Sequence, residues 1–349
     1  MENPNSSNAG RVFASVLAGL LGFLASAALI HSVLCRGDKL TRFYAPVRSE
    51  KLAIIARDPR LFNVATFGSS HVHDGFDPRA FENAFFGRSN AGQSVNLAVE
   101  AGCQTEQREM ALEYLKYVKN RGGDHAMLIL ELPANLNFTP QFLTSPRVVN
   151  IYDWSTLNFA LKFSDQTIGL VRILGRDQFA LRAAGLHYLN LGMLSNLIFK
   201  PGLDESMISL QTSSDRRGLD PLTNSEDAGL ARMISRRAGK TYPTNEGIPP
   251  GDYNLLSDLY SSSEFKHIQF VYIVVPHLET MVKGAIPRYP AEMDGPNGKV
   301  PIINLYDSCS LLMRPDYWHD PAHVNESGAR ELSRILGEKL RALYSPAAL

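Results

Sequence analysis

The sequence predicts an α/β fold built on a mostly parallel, doubly wound sheet. Apolar runs with the length of buried strands alternate with segments whose apolar residues recur at helical spacing. The clearest pair is the helical pattern of residues 104–120, which ends before Gly122, followed by the nearly all-apolar run 126–132. Alternating strands and helices favour parallel pairing, and functional groups then gather at the carboxyl ends of the strands.

The other elements follow from the same patterns. Strand-like apolar runs occur at residues 63–67, 94–99, 268–275 and 302–305. A short helix is expected over 51–57, and a terminal helix is expected over 327–344, where one face carries Leu332, Ile335, Leu336, Leu340 and Leu343. The main domain is therefore expected to cover residues 61–349, with both ends of the sequence contributing to one site.

Between residues 138 and 250 the alternation of strands and helices breaks. The segment contains helical apolar stretches, notably 179–199, and closes with the proline-rich linker 243–251. Polar residues within 179–199, among them Arg182 and His187, argue against a second membrane span. We expect a mainly helical insertion that packs on the core, with a lid or a partner-facing surface as the alternative.

An apolar segment near the N-terminus is long enough to cross a membrane. As a helix, residues 12–34 would span about 30 Å of hydrocarbon. We expect a retained single-pass anchor, preceded by a disordered tail over 1–11 and followed by a juxtamembrane segment over 35–60. A cleaved signal peptide is the alternative, because Ala25-Ser26-Ala27 offers small residues, although only Arg11 precedes the apolar run.

The charge balance and the cysteines exclude several classes of protein. Thirty-five basic residues balance thirty-five acidic ones, so no overall field would attract nucleic acid as a partner. Cys35, Cys103 and Cys309 are too few and too far apart for a disulfide framework, and no Cys-x-x-Cys pair suggests zinc.

Two distant segments carry groups that suggest chemistry. Gly68-Ser69-Ser70 follows the first predicted strand, so the hydroxyl of Ser70 would stand at a strand end. Asp320 and His323 precede the terminal helix at a spacing that allows a carboxylate–imidazole hydrogen bond. Hydroxyl, imidazole and carboxylate are the groups that serine nucleophilic catalysis needs. Taken separately, the segments would be an ordinary turn and an N-cap aspartate beside a surface histidine.

Four short motifs, in the expected order, resemble those of the SGNH, or GDSL-type, hydrolase superfamily. They are Gly68-Ser69-Ser70, Asn96-Leu97-Ala98 leading to Gly102, Glu131-Leu132-Pro133-Ala134-Asn135, and the segment from Asp320 to His323. The resemblance covers roughly residues 60–137 and 265–344. It implies a three-layer sandwich around the parallel sheet.

The resemblance also implies a role for each matched residue. Ser70 would be the nucleophile, His323 the general base and acid, and Asp320 the partner that orients the imidazole. The oxyanion hole would consist of the backbone N–H groups of Ser70 and Gly102 and the side-chain amide of Asn135.

The chain departs from the family pattern in three places. Ser69 replaces the aspartate of the signature, Pro133-Ala134 stand where the family has glycines, and Gly102 lies one residue further from its strand. The third departure leaves the N–H of Ala101 as an alternative donor. The first departure is shared with membrane-anchored relatives that resemble the D-alanyl transfer protein and the alginate O-acetyltransferase group.

The likeness to those anchored relatives implies a layout and a function. They join one N-terminal span to an extracytoplasmic domain and act on acyl groups of cell-surface or exported glycans alongside a multispanning acyltransferase. By this resemblance the chain would be a serine O-acyltransferase or esterase that forms an acyl-Ser70 intermediate and needs no cofactor. The charge rule alone would keep the domain in the cytosol, since Arg36, Lys39 and Arg42 follow the span.

Two other functions stay open. A non-catalytic protein with the same fold could use its insertion and anchor to organise a membrane acyltransferase or a glycan-export complex. A metal-dependent hydrolase could use His71, His73 and His323, because imidazoles suit zinc. Candidate pocket residues are His71, His277 and Trp318, and the alternative role for Trp318 is a buried anchor of its loop.

Overall fold

The computed structural model of the chain describes residues 5–34, 46–58, 61–87, 93–100, 104–123, 125–132, 219, 222–223, 228–235, 267–284, 286–295 and 298–345. The chain divides into two compact units, Met1–Pro46 with Phe138–Met207, and Val47–Asn137 with Ile208–Leu349. In the first unit the structure describes the N-terminal helix, and in the second it describes a six-stranded sheet with its helices. Most of the predicted insertion, including 179–199, lies outside the described residues.

Helix α1 (Asn5–Leu34) contains the apolar N-terminal run. Its segment Gly10–Ala27 has a mean hydropathy of 1.6, so the helix is long and apolar enough to span a membrane, a criterion that a signal sequence also meets. The helix begins at Asn5 and therefore includes most of the segment for which the sequence predicts a disordered tail.

Six strands form one sheet in the order β2-β1-β3-β4-β6-β5. The strands are β1 (Val64–Phe67), β2 (Ser94–Asn96), β3 (Ala126–Glu131), β4 (Ile268–Val274), β5 (Glu292–Gly295) and β6 (Gly298–Asn304). All neighbours from β2 to β6 pair in parallel, whereas β5 pairs antiparallel with β6 at the edge. The predicted α/β class with a mostly parallel sheet is confirmed.

The strand order creates a reversal beside β1. Strands β2 and β3 lie on opposite sides of β1, so the chain changes its direction across the sheet at this point. Every residue of β1, β2 and β3 is buried, as expected for parallel strands covered on both faces. Crevices outside the carboxyl ends of strands at such a reversal are the usual ligand sites of open parallel sheets.

Besides two 3-10 helices, Leu305–Ser308 and Pro315–Tyr317, the described ranges contain eight further α-helices. They are α2 (Pro46–Arg57), α3 (Ser70–Gly75), α4 (Pro78–Phe85), α5 (Gln104–Asn120), α6 (Ala228–Ser235), α7 (Leu278–Lys283), α8 (Cys309–Leu312) and α9 (Glu326–Leu343). Helix α5 has the bounds that the sequence predicts, and it packs against β1 and β3. Helix α2 begins earlier than predicted, because Pro46 suits the first position of a helix.

The terminal helix α9 packs against α4 and α3. Asn325 caps its N-terminus, accepting hydrogen bonds from the N–H groups of Ser327 and Gly328 at 3.0 and 3.1 Å. Gly337 lies where α9 meets α4, and a Cβ added there would lie 2.8 Å from the carbonyl oxygen of Phe81. Four of the five leucine and isoleucine residues predicted for its apolar face are buried, and Leu343, in the last turn, is exposed.

The close contact at Gly337 predicts a loss of stability in Gly337→Ala. Alanine favours a helix by up to about 1 kcal/mol over glycine. The added methyl group meets backbone that cannot move aside like a flexible side chain, and overpacking of this kind costs about 1–3 kcal/mol. We expect the free energy of unfolding to fall by about 1–2 kcal/mol in urea denaturation followed by circular dichroism. Glu338→Ala, at the exposed neighbouring position, should change the free energy by less than about 0.5 kcal/mol.

Candidate functional site

Ser70 lies just beyond the carboxyl end of β1, as the first residue of α3. The preceding residue, Ser69, is the N-cap of this helix. At the first position of a helix the backbone N–H has no intrahelical acceptor, so the N–H of Ser70 is available to a ligand. The turn thus presents both a hydroxyl and a backbone donor at the reversal point of the sheet.

A chain of hydrogen bonds connects Ser70 with His323 and Asp320. The Oγ atom of Ser70 lies 2.9 Å from Nε2 of His323, although 253 positions separate the two residues. The Nδ1 atom of His323 lies 2.9 Å from Oδ2 and 3.1 Å from Oδ1 of Asp320. The structure therefore brings together the three residues for which the sequence predicts a catalytic triad.

The carboxylate of Asp320 also fixes the local backbone. Its Oδ1 atom accepts hydrogen bonds from the N–H groups of Ala322 and His323, both at 2.7 Å. Burial would raise the pKa of Asp320, but these two N–H groups and the ring of His323 outweigh burial and hold the pKa below its ordinary value. Asp320 is therefore an anion near neutral pH and accepts the proton on Nδ1 of His323, which leaves the Nε2 lone pair facing the hydroxyl of Ser70.

The loop that carries Asp320 and His323 is tied to its neighbours. The N–H of Glu279, in α7, donates to the carbonyl oxygen of Pro321 at 3.0 Å. The N–H of His319 donates to the carbonyl oxygen of His323 at 2.9 Å. On its outer side, the Nδ1 atom of His319 lies 2.8 Å from the carbonyl oxygen of Thr223, which belongs to the predicted insertion. These bonds restrain the backbone of the loop and thereby the position of the imidazole of His323.

Three imidazole rings form a stack beside Ser70. The ring of His71 lies 4.0 Å from that of His277 and 5.0 Å from that of His323, measured between centroids. The planes of His71 and His323 differ by only 10°. His71 and His277, which the sequence suggests as pocket residues, are therefore neighbours of the triad, with His71 in the middle of the stack.

A buried carboxylate that the sequence analysis did not single out lies beneath this stack. Glu131, the last residue of β3, accepts hydrogen bonds from the N–H of Ser69 at 2.5 Å and from its hydroxyl at 3.1 Å. A Cβ added to Gly68 would lie 2.5 Å from Oε2 of Glu131, so only glycine allows this approach. The signal in the sequence is an acidic residue at the end of an otherwise apolar strand.

The remaining predicted residues have other surroundings. Trp318 is fully buried, and its indole N–H donates to the carbonyl oxygen of Leu312 at 2.8 Å, so of its two suggested roles the structure shows the loop anchor and not a pocket wall. His73 is buried with its Nδ1 atom 2.6 Å from a carboxylate oxygen of Asp74. Within the described ranges, no group of three or more histidine, cysteine or acidic residues is arranged to hold a metal ion.

Two of the predicted oxyanion-hole residues cannot be placed in this description. Gly102 and Asn135, together with the alternative donor Ala101, lie outside the described residues. Of the predicted donors, the structure describes only the N–H of Ser70.

Comparisons of the chain with protein-family models, with curated proteins and with solved structures each found no match. The resemblance to the SGNH superfamily, which the four motifs carry, stays a prediction.

The burial of His277 predicts how stability changes with pH. Burial, and then the neighbouring His71, lower the pKa of His277 from 6.5 to about 4. Between these values the unfolded chain binds a proton that the folded protein does not, so stability falls as the pH falls from about 6.5 to about 4. In His277→Asn this contribution disappears, and urea denaturation at several pH values should give a flatter dependence than in the wild type.

The matched control is His267→Gln, because His267 is exposed at the opposite end of β4. It should keep the wild-type dependence on pH. An unchanged slope in His277→Asn would show that His277 binds its proton equally well in the folded and unfolded chain.

Proposed function

We propose that the protein is a membrane-anchored serine acyltransferase or esterase of the SGNH type that works through an acyl-Ser70 intermediate. The observation that supports the proposal most is the hydrogen-bond chain Ser70–His323–Asp320. Nε2 of His323 lies 2.9 Å from Oγ of Ser70, and Nδ1 lies 2.9 Å from Oδ2 of Asp320. A positioned imidazole oriented by a carboxylate is what makes a serine hydroxyl nucleophilic. The proposal includes the three-layer arrangement, which the burial of β1, β2 and β3 supports.

In the first half of the proposed reaction, Ser70 Oγ attacks the carbonyl carbon of an acyl donor. Its proton passes to Nε2 of His323, and Asp320 stabilises the imidazolium that forms. The backbone N–H of Ser70 donates to the developing oxyanion, with Gly102 and Asn135 as the proposed further donors. As the tetrahedral intermediate collapses, the bond to the leaving oxygen breaks, and His323 returns its proton to that oxygen.

The second half of the reaction decides between transfer and hydrolysis. A hydroxyl group of the acceptor, or water, attacks the acyl carbon while His323 takes its proton, and Ser70 then recovers a proton from His323. Both outcomes use the same triad. The acceptor proposed from the resemblance to anchored relatives is a hydroxyl of a cell-surface or exported glycan, with a multispanning acyltransferase as a partner.

The proposed location is a membrane, with the domain proposed for residues 61–349 on the extracytoplasmic side. Helix α1, which is long and apolar enough to span a bilayer, supports the anchor. Sidedness rests on the resemblance to anchored relatives, because large domains cross membranes largely regardless of the charges that flank a span.

The reactivity of Ser70 is the central test. A fluorophosphonate probe should label the full-length protein in detergent, and the label should disappear in Ser70→Ala, because the probe forms a covalent bond only with an activated serine. The matched control is Ser327→Ala, which removes an exposed hydroxyl from the first turn of α9 and should leave labelling unchanged. Folded wild-type protein that takes up no label would instead favour the non-catalytic role as an organiser of a membrane complex.

The role of Asp320 predicts a large loss of reactivity in Asp320→Asn. The amide oxygen can still accept from the N–H groups of Ala322 and His323, so the loop is kept. The amide nitrogen, however, donates to Nδ1 of His323, which places the ring proton on Nε2 and removes the acceptor for Ser70. We expect the rate of fluorophosphonate labelling to fall about 10³–10⁴-fold.

Asp316→Asn is the control for this change, since Asp316 is an exposed aspartate that pairs with Arg314 on the neighbouring turn. Its labelling rate should equal that of the wild type. Equal rates in Asp320→Asn and the wild type would exclude the proposed orienting role of Asp320.

A further inference from the structure

We propose that Glu131 is a positioning residue of the Ser70 site, acting through Ser69 and His71. The inference rests on the proposed function, and it assigns a role to a carboxylate outside the triad. Glu131 belongs to β3, whereas Ser70 follows β1, so the contact joins the ends of two neighbouring strands at the reversal point of the sheet.

Glu131 holds the turn that precedes Ser70. Both oxygens of the carboxylate bind Ser69, one through its N–H at 2.5 Å and the other through its hydroxyl at 3.1 Å. Gly68, without a side chain, lies against the same carboxylate. The two residues that precede Ser70 are therefore fixed by a buried group of a different strand, which restricts where the Ser70 hydroxyl can point.

Glu131 also orients the ring of His71, because both contact the hydroxyl of Ser69. The hydroxyl of Ser69 has one proton, and it donates that proton to the carboxylate of Glu131. Toward Nδ1 of His71, at 2.9 Å, the same oxygen can therefore only accept, so Nδ1 carries a proton. Glu131 thus sets the tautomer and orientation of His71 through Ser69, in the way that Asp320 sets those of His323 directly.

The ring of His71 is stacked against that of His323. It lies parallel to the ring of His323, at a centroid distance of 5.0 Å, and is held from the other side by the ring of His277 at 4.0 Å. A fixed ring at this distance limits rotation of His323 away from Ser70. The Glu131–Ser69–His71 chain therefore constrains both partners of the Ser70–His323 hydrogen bond.

The charge of Glu131 agrees with this role. Burial would raise its pKa, but the neighbouring imidazole of His71, with Nδ1 3.6 Å from Oε1, and the hydrogen bonds from Ser69 lower the pKa below the ordinary value. A buried carboxylate that stays ionised needs fixed donors around it, and Ser69 supplies two of them.

The experiment compares fluorophosphonate labelling rates of Ser70 in full-length variants. In Glu131→Gln the amide nitrogen replaces one of the two acceptors, so either the N–H or the hydroxyl of Ser69 loses its partner. We expect the labelling rate to fall about 10- to 100-fold, because a displacement of about 1 Å between reacting groups can lower a rate by about 100-fold. Ser69→Ala should cause a similar fall, and Ser69→Thr, which keeps the hydroxyl, should restore most of the rate.

The chain offers a matched control in Glu82. This buried carboxylate also holds a serine, with its Oε1 atom alone accepting from the N–H and the hydroxyl of Ser94 at 2.6 and 2.8 Å. Ser94 begins β2, at the opposite end of the sheet from Ser70. In Glu82→Gln the amide oxygen can keep both bonds, so the variant removes the charge of a buried carboxylate far from Ser70 and should leave the labelling rate unchanged.

A double variant separates positioning from general damage. If Glu131 acts through Ser69, Glu131→Gln combined with Ser69→Ala should lose no more rate than the more affected single variant. A wild-type rate in Glu131→Gln, a fall of equal size in Glu82→Gln, or additive losses in the double variant would each overturn the positioning role while leaving the proposed function intact. If wild-type protein takes up no label, the proposed function fails first, and the positioning role fails with it.

Discussion

The site depends on the docking of α9 against α3 and α4, because this contact brings residue 323 to residue 70. Ser333 of α9 forms part of the contact, accepting from the N–H of Asp77 at 2.7 Å, just after α3 ends. In the loop before α9, Asn325 caps the helix and donates to the carbonyl oxygen of Asp316 at 2.8 Å. His323 lies between Asp316 and Asn325, so its imidazole is positioned by the packing of α9 and by this bond across the loop.

Much of the fold follows from local patterns in the sequence. Helix α5 could be predicted to its last residue, since Gly122, with a φ of 72°, provides the left-handed turn that ends it. Strand β5 was not predicted, and β6 begins at Gly298 instead of residue 302. The segments Glu292–Gly295 and 298–299 have no apolar alternation, so they form strands through hairpin pairing, which propensity does not reveal.

Some contacts of the site could likewise be predicted from local sequence, whereas others depend on the tertiary fold. The spacing of Asp320 and His323 could be read directly, because their hydrogen bond closes within one turn of chain. The stack of His71 between His277 and His323 depends on how β1, β4 and α9 meet, which no short segment encodes. Glu131 lies in one of the motifs, yet its role needs the pairing of β1 with β3, which places it under Ser69.

The separation of 253 positions between Ser70 and His323 has a consequence for the timing of biosynthesis. A ribosome that adds about 5–20 residues per second needs roughly 13–50 s to travel from the first codon to the second. During that interval the nascent polypeptide already contains the hydroxyl of Ser70 but not the imidazole of His323. The hydroxyl of Ser70 therefore lacks this hydrogen-bond partner until α9 has been synthesised and has folded onto the earlier part of the chain.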